Sequence, residues 1–254
     1  MGIEIKTADE IAAMKEAGMV VYEVLQELEK LVEPGLTLEE LDQVAKRETE
    51  KRGATCAFMG LYGFPKHICI SVNEQVVHGI PGRRKLQDGD LVKLDHGAVV
   101  RGWYGDSART VPVGKVSPEA QKLVGVTRDS LEAGIQAMVL GNRISDIGAA
   151  VEAVVSPHGY GIVRDYVGHG IGKRPHEDPQ VPNYGPALWG RGQPNPRLRA
   201  GLVLAVEPMI NIGTHETLTL GDGWTVVTKD GKYSAHFEHT IAITEDGPQV
   251  LTRP

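Results

Sequence analysis

Two segments near the start of the chain carry apolar residues at helical spacing, and each begins at a threonine. Thr7 and Thr37 each stand three residues before a glutamate. This is the pattern of a capping box, in which the two side chains satisfy free amides at a helix N-terminus. We expect the first helix to end at Pro34-Gly35 and a second to run from about Leu38 to Lys51, ended by Gly53. The apolar positions that suit one face of the first helix are Ile11, Met14, Met19, Val20, Leu25 and Leu28.

The pattern then changes to short runs of β-branched and other apolar residues separated by turns, which is typical of strands. In the first half, the predicted strands are Cys69–Asn73, Gln75–His78, Leu91–Asp95 and Ala98–Arg101. We expect the last two to form a hairpin whose turn lies near His96-Gly97. In the second half, the predicted strands are Leu202–Glu207, Trp224–Thr228 and His239–Thr244.

A second pair of helices is predicted between these two groups of strands. Ser117 followed by Pro118 favours a helix start, because proline is tolerated at the first helical position, and this helix should reach about Ala137. Ser145 is expected to cap another helix, from Asp146 to about Val155. Two helices followed by strands, twice over, predict an α+β fold with internal two-fold pseudosymmetry.

The chain length bears on the domain organisation. A chain of 254 residues is long for one ordinary domain and short for two large ones. We therefore expect one catalytic domain over residues 1–254, built from two pseudosymmetric halves of about 1–115 and 116–254. The Gly-, Pro- and Arg-rich stretch Tyr184–Ala200 is expected to be a long surface loop.

Charge and composition exclude several classes of protein. The net charge of −6 argues against specific nucleic-acid binding, which needs a basic face. No apolar run is long enough for a membrane span, and the N-terminus lacks the apolar core of a signal peptide, so we expect a cytoplasmic protein. The two cysteines, Cys56 and Cys69, form no CxxC motif, which argues against a disulfide framework and a cysteine-based zinc site.

Three carboxylates stand in apolar, strand-like sequence. Asp95 follows Leu-Val-Lys-Leu, Glu207 follows Leu-Val-Leu-Ala-Val, and Glu238 lies just before His-Thr-Ile-Ala-Ile. Each of them alone could be a strand-end residue that reaches solvent. A buried carboxylate costs several kcal/mol unless it is neutralised, paired or coordinated, and no basic residue recurs beside all three. A shared metal ion explains the set with the fewest assumptions.

Further polar residues fit the same site. Asp106 lies eleven residues after Asp95 across the predicted hairpin, so adjacent strands can bring both carboxylates onto one cation. His169 lies between glycines that let the backbone approach a ligand closely, and His176 follows seven residues later. The alternative is a glycine-rich loop with incidental histidines. His78 could likewise be a structural residue at a strand end.

Ligand chemistry limits the metal. Four carboxylates and one imidazole suit two divalent ions of Mn, Fe, Co or Zn. Such ions lower the pKa of bound water towards about 7, and the resulting hydroxide is a nucleophile. The sequence therefore predicts a metal-dependent hydrolase.

Together these motifs resemble those of the type I methionine aminopeptidases, which share the pita-bread fold with creatinase and prolidase. The resemblance covers nearly the whole chain. It rests on the order and spacing of six segments: Cys69–Pro81, Leu94-Asp95 with Trp103–Ser107, Gly168–Gly172, Pro175–Pro179, Val206–Met209 and Phe237–Thr240. It implies an antiparallel sheet with pseudo-two-fold symmetry and helices on its outer face.

The resemblance also implies roles for individual residues. Asp95 would be a bidentate ligand of one ion, Asp106 and Glu238 would bridge both ions, and His169 and Glu207 would complete the other. Glu207 would also shuttle a proton from the attacking water to the leaving amine. His78 and His176 would be catalytic and substrate-binding residues that hydrogen-bond the scissile peptide and stabilise its oxyanion. The methionine pocket would use Phe58, Phe64, Cys69 and Trp224, and Asn73 and Ser234 match a monovalent-cation site.

The implied activity is removal of the initiator methionine from nascent proteins and peptides whose second residue is small. The α-amino group of the substrate would bind one metal, which limits cleavage to the first residue. The implied partners are nascent N-termini near the ribosome, and the protein is expected to be a monomer. The chain departs from the family pattern at Leu61 and Pro175, where aromatic residues are common. It also departs at Lys93, where small or polar residues are usual.

Three alternatives are weighed against this interpretation. Another pita-bread hydrolase, such as a prolidase or X-Pro aminopeptidase, normally has an additional N-terminal domain, for which a first helix near residue 7 leaves no room. A non-enzymatic binding protein of the same fold is expected to lose ligands, whereas all five are present here. A structural protein with incidental acids leaves the buried carboxylates unexplained.

Overall fold

Four helices occur in two pairs, one in each half of the chain. The protein is described by a computed structural model that covers residues 2–190 and 192–254. Its helices are α1 (Ala8–Leu31), α2 (Leu38–Lys51), α3 (Pro118–Gln136) and α4 (Ile144–Val155). Single 3₁₀ turns lie at Leu61–Gly63, Ser156–His158 and Pro186–Leu188. Within these described residues, no helix is long and apolar enough to cross a membrane.

The predicted helix starts are confirmed for three of the four helices. The side chains of Thr7 and Thr37 accept hydrogen bonds from the amides of Glu10 and Glu40, and both capping boxes are complete. Ser117 caps α3. In α1 the buried stripe includes Met14, Leu25 and Leu28 as expected, whereas Ile11, Met19 and Val20 are only half-buried.

The start predicted for α4 is wrong by two residues. Arg143 is the N-cap, and its amide donates to the Asp146 carboxylate at 2.7 Å. Ser145 lies inside the first turn, where its hydroxyl accepts a hydrogen bond from the Asn195 side chain at 3.0 Å. The Ser145 side chain, which the sequence assigns to the cap, is therefore bound instead by Asn195, about 50 residues later in the chain.

Among the described residues, five strands precede α3 and ten follow α4. They are β1 (Thr55–Cys56), β2 (Cys69–Val72), β3 (Gln75–Val77), β4 (Leu91–Val100), β5 (Trp103–Pro112), β6 (Gly161–Ile162), β7 (Gly168–Gly170), β8 (Glu177–Val181), β9 (Val203–Val206), β10 (Met209–Asn211), β11 (Thr217–Thr219), β12 (Val226–Thr228), β13 (Ser234–His236), β14 (His239–Thr244) and β15 (Gly247–Val250). The predicted strand at His239–Thr244 has the observed bounds, and the other predicted strands outside the hairpin are shorter by one or two residues.

The hairpin turn predicted near His96-Gly97 is wrong. β4 runs unbroken to Val100 and pairs with β5 through a two-residue turn at Arg101-Gly102, with φ angles of 50° and 81°. Positive φ at both positions matches the right-handed twist of the flanking strands. Gly97 serves a different purpose, because a Cβ there would lie 2.9 Å from the Phe58 ring.

All strand pairings are antiparallel. A five-stranded sheet has the order β15-β14-β9-β7-β8, and a four-stranded sheet has β4 between β1 and β2 with β5 also paired to β4. Two three-stranded sheets, β13-β10-β6 and β11-β12-β3, complete the described strands. The backbone of β5 also bonds to Glu238 just before β14, which joins strands of the two halves beside the site described below.

The helices pack on these sheets closely enough to fix the site. α1 lies against β4 and β5. A Cβ on Gly105 in β5 would lie 2.7 Å from the Gly18 amide nitrogen in α1, so only glycine permits this approach.

One buried cluster lies within residues 21–113 and another within 131–250. The division into halves at 115/116 stays a prediction.

Candidate metal centre

Asp95 and Asp106 come from neighbouring strands of the β4–β5 hairpin. In the register of this pair, Asp95 lies opposite Ala108 and Asp106 lies opposite Gly97. The two carboxylates are therefore diagonal neighbours on one face of the sheet. The backbone of Asp106 is fixed further, because its amide donates to the Thr240 hydroxyl at 3.0 Å and its carbonyl accepts from that hydroxyl at 2.8 Å.

The other three predicted ligands come from the second half. His169 in β7 lies opposite Ala205 of β9, two residues before Glu207, so these side chains are also diagonal neighbours. The amide of Glu238 donates to the Ala108 carbonyl at 2.9 Å, and the Ser107 hydroxyl donates to the Glu238 carbonyl at 2.6 Å. These contacts hold the half that carries Glu238 against the half that carries Asp106.

The five side chains meet at one cavity. Ligand-type atoms of Asp106, His169 and Glu238 all lie within 4.8 Å of one another. His169 Nε2 lies 3.5 Å from a carboxylate oxygen of Glu207. The cavity has a volume of about 260 Å³, and Asp95 lines it together with these four residues. We call these five residues the carboxylate wall.

The carboxylate wall contains polar atoms that lack partners. Within residues 2–190 and 192–254, Asp95 Oδ1, Asp106 Oδ1 and Glu238 Oε1 are buried and have no hydrogen-bond partner. His169 Nδ1 donates to the Gly170 carbonyl at 2.9 Å, which leaves the Nε2 lone pair directed at the carboxylates. This tautomer is the one that metal-ligating histidines adopt.

The electrostatics of the wall suit a bound cation. Burial raises the pKa of Asp106 to about 7. Burial, and then the neighbouring carboxylates, raise the pKa values of Asp95, Glu207 and Glu238 well above the usual range. Burial lowers the pKa of His169 to about 3, so its ring is neutral. Carboxylates and a neutral imidazole, crowded and partly unpartnered, fit divalent metal ions.

His78 and His176 lie at the same cavity, beyond the carboxylate wall. His176 as a whole residue is exposed, and its ring lies edge-on to that of His169, with the two ring centroids 4.5 Å apart. His78 has φ of 59° and lies edge-on to Tyr166 and Trp224. Burial lowers the pKa of His78 to about 4 and lowers that of His176, so both rings are neutral at pH 7 and can donate hydrogen bonds.

An apolar surface closes the other side of the cavity. Phe58, Phe64 and Cys69 are buried and pack together, and Trp224 packs against them with its ring edge-on to Phe64 at 5.1 Å. We call these four residues the apolar wall. Leu61 and Tyr62 also line the cavity, and the Tyr62 ring stacks on His176 at 6.2 Å while remaining 76% exposed.

Sequence reasoning missed His236, Tyr166, Val77 and Val167. The last three line the cavity. His236 is 1% exposed, its Nε2 lies 3.7 Å from a Glu207 carboxylate oxygen, and neither ring nitrogen has a partner among the described residues. His236 ends β13, and no local signal in the sequence distinguishes it from an ordinary strand residue.

Asn73 and Ser234, the pair matched to a monovalent-cation site, are both buried and lie together. The Ser234 amide donates to the Asn73 carbonyl at 3.0 Å. The carbonyl oxygens of both residues also accept hydrogen bonds from Lys93 Nζ, at 2.7 Å and 3.1 Å. The ammonium of Lys93 thus contacts both residues of the predicted monovalent-cation site.

Comparisons with known proteins identify the family of the chain. The model of metallopeptidase family M24 matches residues 12–245. The chain is 50% identical over 250 residues to a methionine aminopeptidase of Clostridium perfringens, covering 98% of both chains. It is 51% identical over 248 residues to methionine aminopeptidase 1 of Bacillus subtilis, again covering 98% of both.

Solved structures give the same family. The methionine aminopeptidase of Thermotoga maritima superposes with a TM-score of 0.95 at 43% identity, and the match covers all of both chains. The prolidase of Pyrococcus furiosus superposes with a TM-score of 0.78 at 22% identity, over 98% of this chain and 65% of that one, and so shares the fold. The predicted pita-bread fold is confirmed, and the chain belongs to metallopeptidase family M24, among its methionine aminopeptidases.

Proposed function

We propose that this enzyme removes the N-terminal methionine from nascent proteins and peptides whose second residue is small. The observation that carries the proposal is the cavity itself, in which a wall of metal-type donors faces a small apolar pocket. A cavity of about 260 Å³ has room for one side chain and the adjoining peptide group, which suits an exopeptidase. The high identity to methionine aminopeptidases over the full chain supports the choice of residue.

Two divalent ions, of Co, Mn, Fe or Zn, are the proposed cofactors. Asp95 would hold one ion, Asp106 and Glu238 would bridge the pair, and His169 and Glu207 would complete the other. Four carboxylates balance the charge of two such ions. When bound, the ions lower the pKa of water towards about 7 and so supply hydroxide at neutral pH.

Glu207 is proposed to move the proton. Its carboxylate faces the cavity 3.5 Å from His169 Nε2, so in its ionised form it can accept a proton from the attacking water and hold it. The same carboxylate then delivers the proton to the amine that leaves as the peptide bond breaks. His236 lies 3.7 Å from this carboxylate and is well placed to limit the orientations it adopts.

His78 and His176 are proposed to bind the scissile peptide. Both rings are neutral at pH 7, so each can present an N–H to the carbonyl oxygen as it becomes an oxyanion. His176 lies at the exposed rim and His78 deeper, between Tyr166 and Trp224. Donors on both sides of a peptide group would fix its orientation over the carboxylate wall.

The apolar wall is proposed to select methionine. A thioether packs favourably against aromatic edges and a thiol, and Phe58, Phe64, Cys69 and Trp224 supply both. Burial raises the pKa of the Cys69 thiol well above its usual range, so it stays neutral and apolar. An uncharged pocket of this kind disfavours charged first residues.

We also propose a setting for the reaction. The substrates would be nascent N-termini in the cytoplasm, met near the ribosome. The enzyme would act as a monomer and bind no specific nucleic acid, in keeping with its net charge of −6.

Peptide hydrolysis tests the proposal. The enzyme loaded with Mn or Co is expected to cleave Met-Gly-Met quickly and Met-Leu-Met slowly. Acetyl-Met-Gly-Met is the matched control for the free amino group and should remain intact. Cleavage of an Ala-Pro peptide in preference to Met-Gly-Met would instead assign the site to a prolidase-type activity.

A further inference from the structure

Lys93 is a buried lysine whose charge is balanced in an unusual way. Its side chain is 1% exposed. Its ammonium donates to the main-chain carbonyl oxygens of Asn73 at 2.7 Å and Ser234 at 3.1 Å. Both hydrogen-bond acceptors are neutral dipoles, whereas a buried ammonium is usually hydrogen-bonded to a carboxylate. The carboxylates of Glu74 and Asp90 attract the ammonium only through their charge. The lysine is therefore bound in the manner of a desolvated monovalent cation, which protein carbonyls also coordinate.

The surroundings hold the two carbonyls in place independently of Lys93. Asn73 adopts φ of 56° in the turn between β2 and β3. Its side-chain amide donates to Asp90 at 2.8 Å, and its side-chain oxygen accepts from the Leu91 amide at 2.9 Å. The Ser234 amide donates to the Asn73 carbonyl at 3.0 Å. Removal of the lysine would therefore leave two oriented carbonyl oxygens facing a buried space.

We propose that the Lys93 ammonium is a built-in monovalent cation, and that truncating this side chain opens a site that K⁺ or Na⁺ fills. The intact protein then needs no alkali-metal ion between the carbonyls of Asn73 and Ser234. The inference concerns a site outside the cavity and does not depend on the proposed reaction.

The position of Lys93 gives the built-in cation a purpose. Lys93 lies on β4 two residues before Asp95, and Ser234 opens β13, which leads to Glu238. Asn73 lies between β2 and β3, and β3 leads to His78. One ammonium thus joins three segments that continue into the cavity.

Two variants separate charge from volume. Lys93→Ser removes the ammonium and leaves space for an ion beside a hydroxyl oxygen. Lys93→Met removes the charge and fills most of the space, so it provides the matched control. The measurement is the thermal midpoint of chelator-treated protein in tetramethylammonium chloride, KCl or NaCl at constant ionic strength. It is made at pH 6.5, where lysine side chains are ordinarily charged.

The wild-type midpoint is expected to be the same in all three salts. The Lys93→Ser midpoint should fall in tetramethylammonium, whose ion is too large to enter, and rise by roughly 5 °C in 100 mM KCl or NaCl if binding is in the millimolar range. Lys93→Met should be destabilised equally in all three salts. Folding of Lys93→Ser only when K⁺ or Na⁺ is present would support the proposal equally well.

Three outcomes would overturn the proposal. One is a wild-type midpoint that rises with K⁺ or Na⁺ relative to tetramethylammonium. Another is a Lys93→Ser protein that is insensitive to both ions or remains unfolded at every concentration of them. The third is an equal response of Lys93→Ser and Lys93→Met, which would assign the effect to salt in general. None of these readouts depends on catalytic activity.

Discussion

The two walls of the cavity are built on different kinds of backbone. All five residues of the carboxylate wall lie in, or directly next to, the paired strands β4, β5, β7, β9 and β14, and Glu238 is also bonded through its backbone to β5. In the apolar wall, Phe58 and Phe64 flank a 3₁₀ turn in which Tyr62 has φ of 50°, and Trp224 follows three exposed residues. Strand register fixes the positions of the residues in the carboxylate wall, whereas most residues of the apolar wall lie in loops.

This difference suggests a division of labour. Metal chemistry tolerates errors of only a few tenths of an ångström in ligand position, which hydrogen-bonded strands can guarantee. Recognition of a flexible, unbranched side chain tolerates larger errors in the positions of the contacting residues. Residues carried on loops are therefore sufficient for it. Changes in the carboxylate wall should therefore abolish the reaction, and changes in the apolar wall should alter its selectivity.

The largest expected effect comes from Glu238→Ala. It removes a donor shared between the two proposed ions, so metal content and kcat should fall together, with kcat reduced on the order of 10⁴-fold or more. Metal analysis after dialysis and hydrolysis of Met-Gly-Met measure both. Asp129→Ala, an exposed acid on α3, is the matched control and should change neither. A variant that lost activity but kept both ions would contradict the assigned role of Glu238.

A smaller loss of activity is expected from a change of His176, which lies at the rim of the cavity. His176→Ala removes one proposed donor to the oxyanion, so kcat should fall by roughly 10²- to 10³-fold. Metal content should be unchanged, because His176 is not assigned to the carboxylate wall. His158→Ala, on the 3₁₀ turn after α4, is a control histidine away from the cavity. Loss of the ions from His176→Ala would instead show that His176 is a metal ligand and belongs to the carboxylate wall.

The contrast between the walls also explains what could be predicted from sequence. Ionisable residues at the ends of apolar strands are conspicuous, so Asp95, Glu207 and Glu238 could be selected without a structure. Capping boxes identified α1 and α2 because their signals are local. The hairpin turn was misplaced because Gly97 suggested a turn, whereas it is needed for the approach of Phe58.

Other features depend on contacts that no local pattern encodes. His236 has the ordinary appearance of a strand residue, and only the fold brings it to 3.7 Å from Glu207. The same holds for Lys93, whose acceptors lie 20 and 141 positions away in the chain. The apolar wall could be listed only through the family resemblance, because aromatic residues in loops have no periodicity to analyse.

A change in the apolar wall should leave the chemistry intact. Trp224→Ala removes an aromatic edge beside Phe64, so kcat/KM for Met-Gly-Met should fall roughly 10-fold, mainly through KM. Discrimination between Met-Gly-Met and Leu-Gly-Met should narrow, and metal content should not change. Trp103→Ala, at a position on β5 that faces Lys173, is the matched control. A fall in kcat alone would mean that the two walls are not separable in function.

The smallest expected effect concerns the pH dependence of the metal-free protein, and it isolates the carboxylate wall. Because the pKa of folded Asp106 is raised to about 7 from 3.8, its folded state binds more protons than its unfolded state between these values. Its contribution to stability is therefore lost as pH rises towards and through 7. The buried histidines have lowered pKa values and oppose this trend below their unfolded value of 6.5. Lys93, whose pKa burial lowers to about 7 from 10.5, opposes it above 7. The effect of the carboxylates is therefore read between pH 6.5 and 8 as the difference between metal-free and Mn-loaded protein, because Lys93 and the histidines outside the carboxylate wall titrate in both.

Relative to the Mn-loaded protein, the free energy of unfolding of the metal-free protein should fall by about 1 kcal/mol for Asp106, and further for its neighbours with raised pKa values. Urea unfolding of both forms measures this difference, because Mn stabilises the carboxylates in their charged form. Glu238→Gln, which removes one titrating group, should reduce the slope. An equal slope with and without Mn would mean that the ions do not bind these carboxylates.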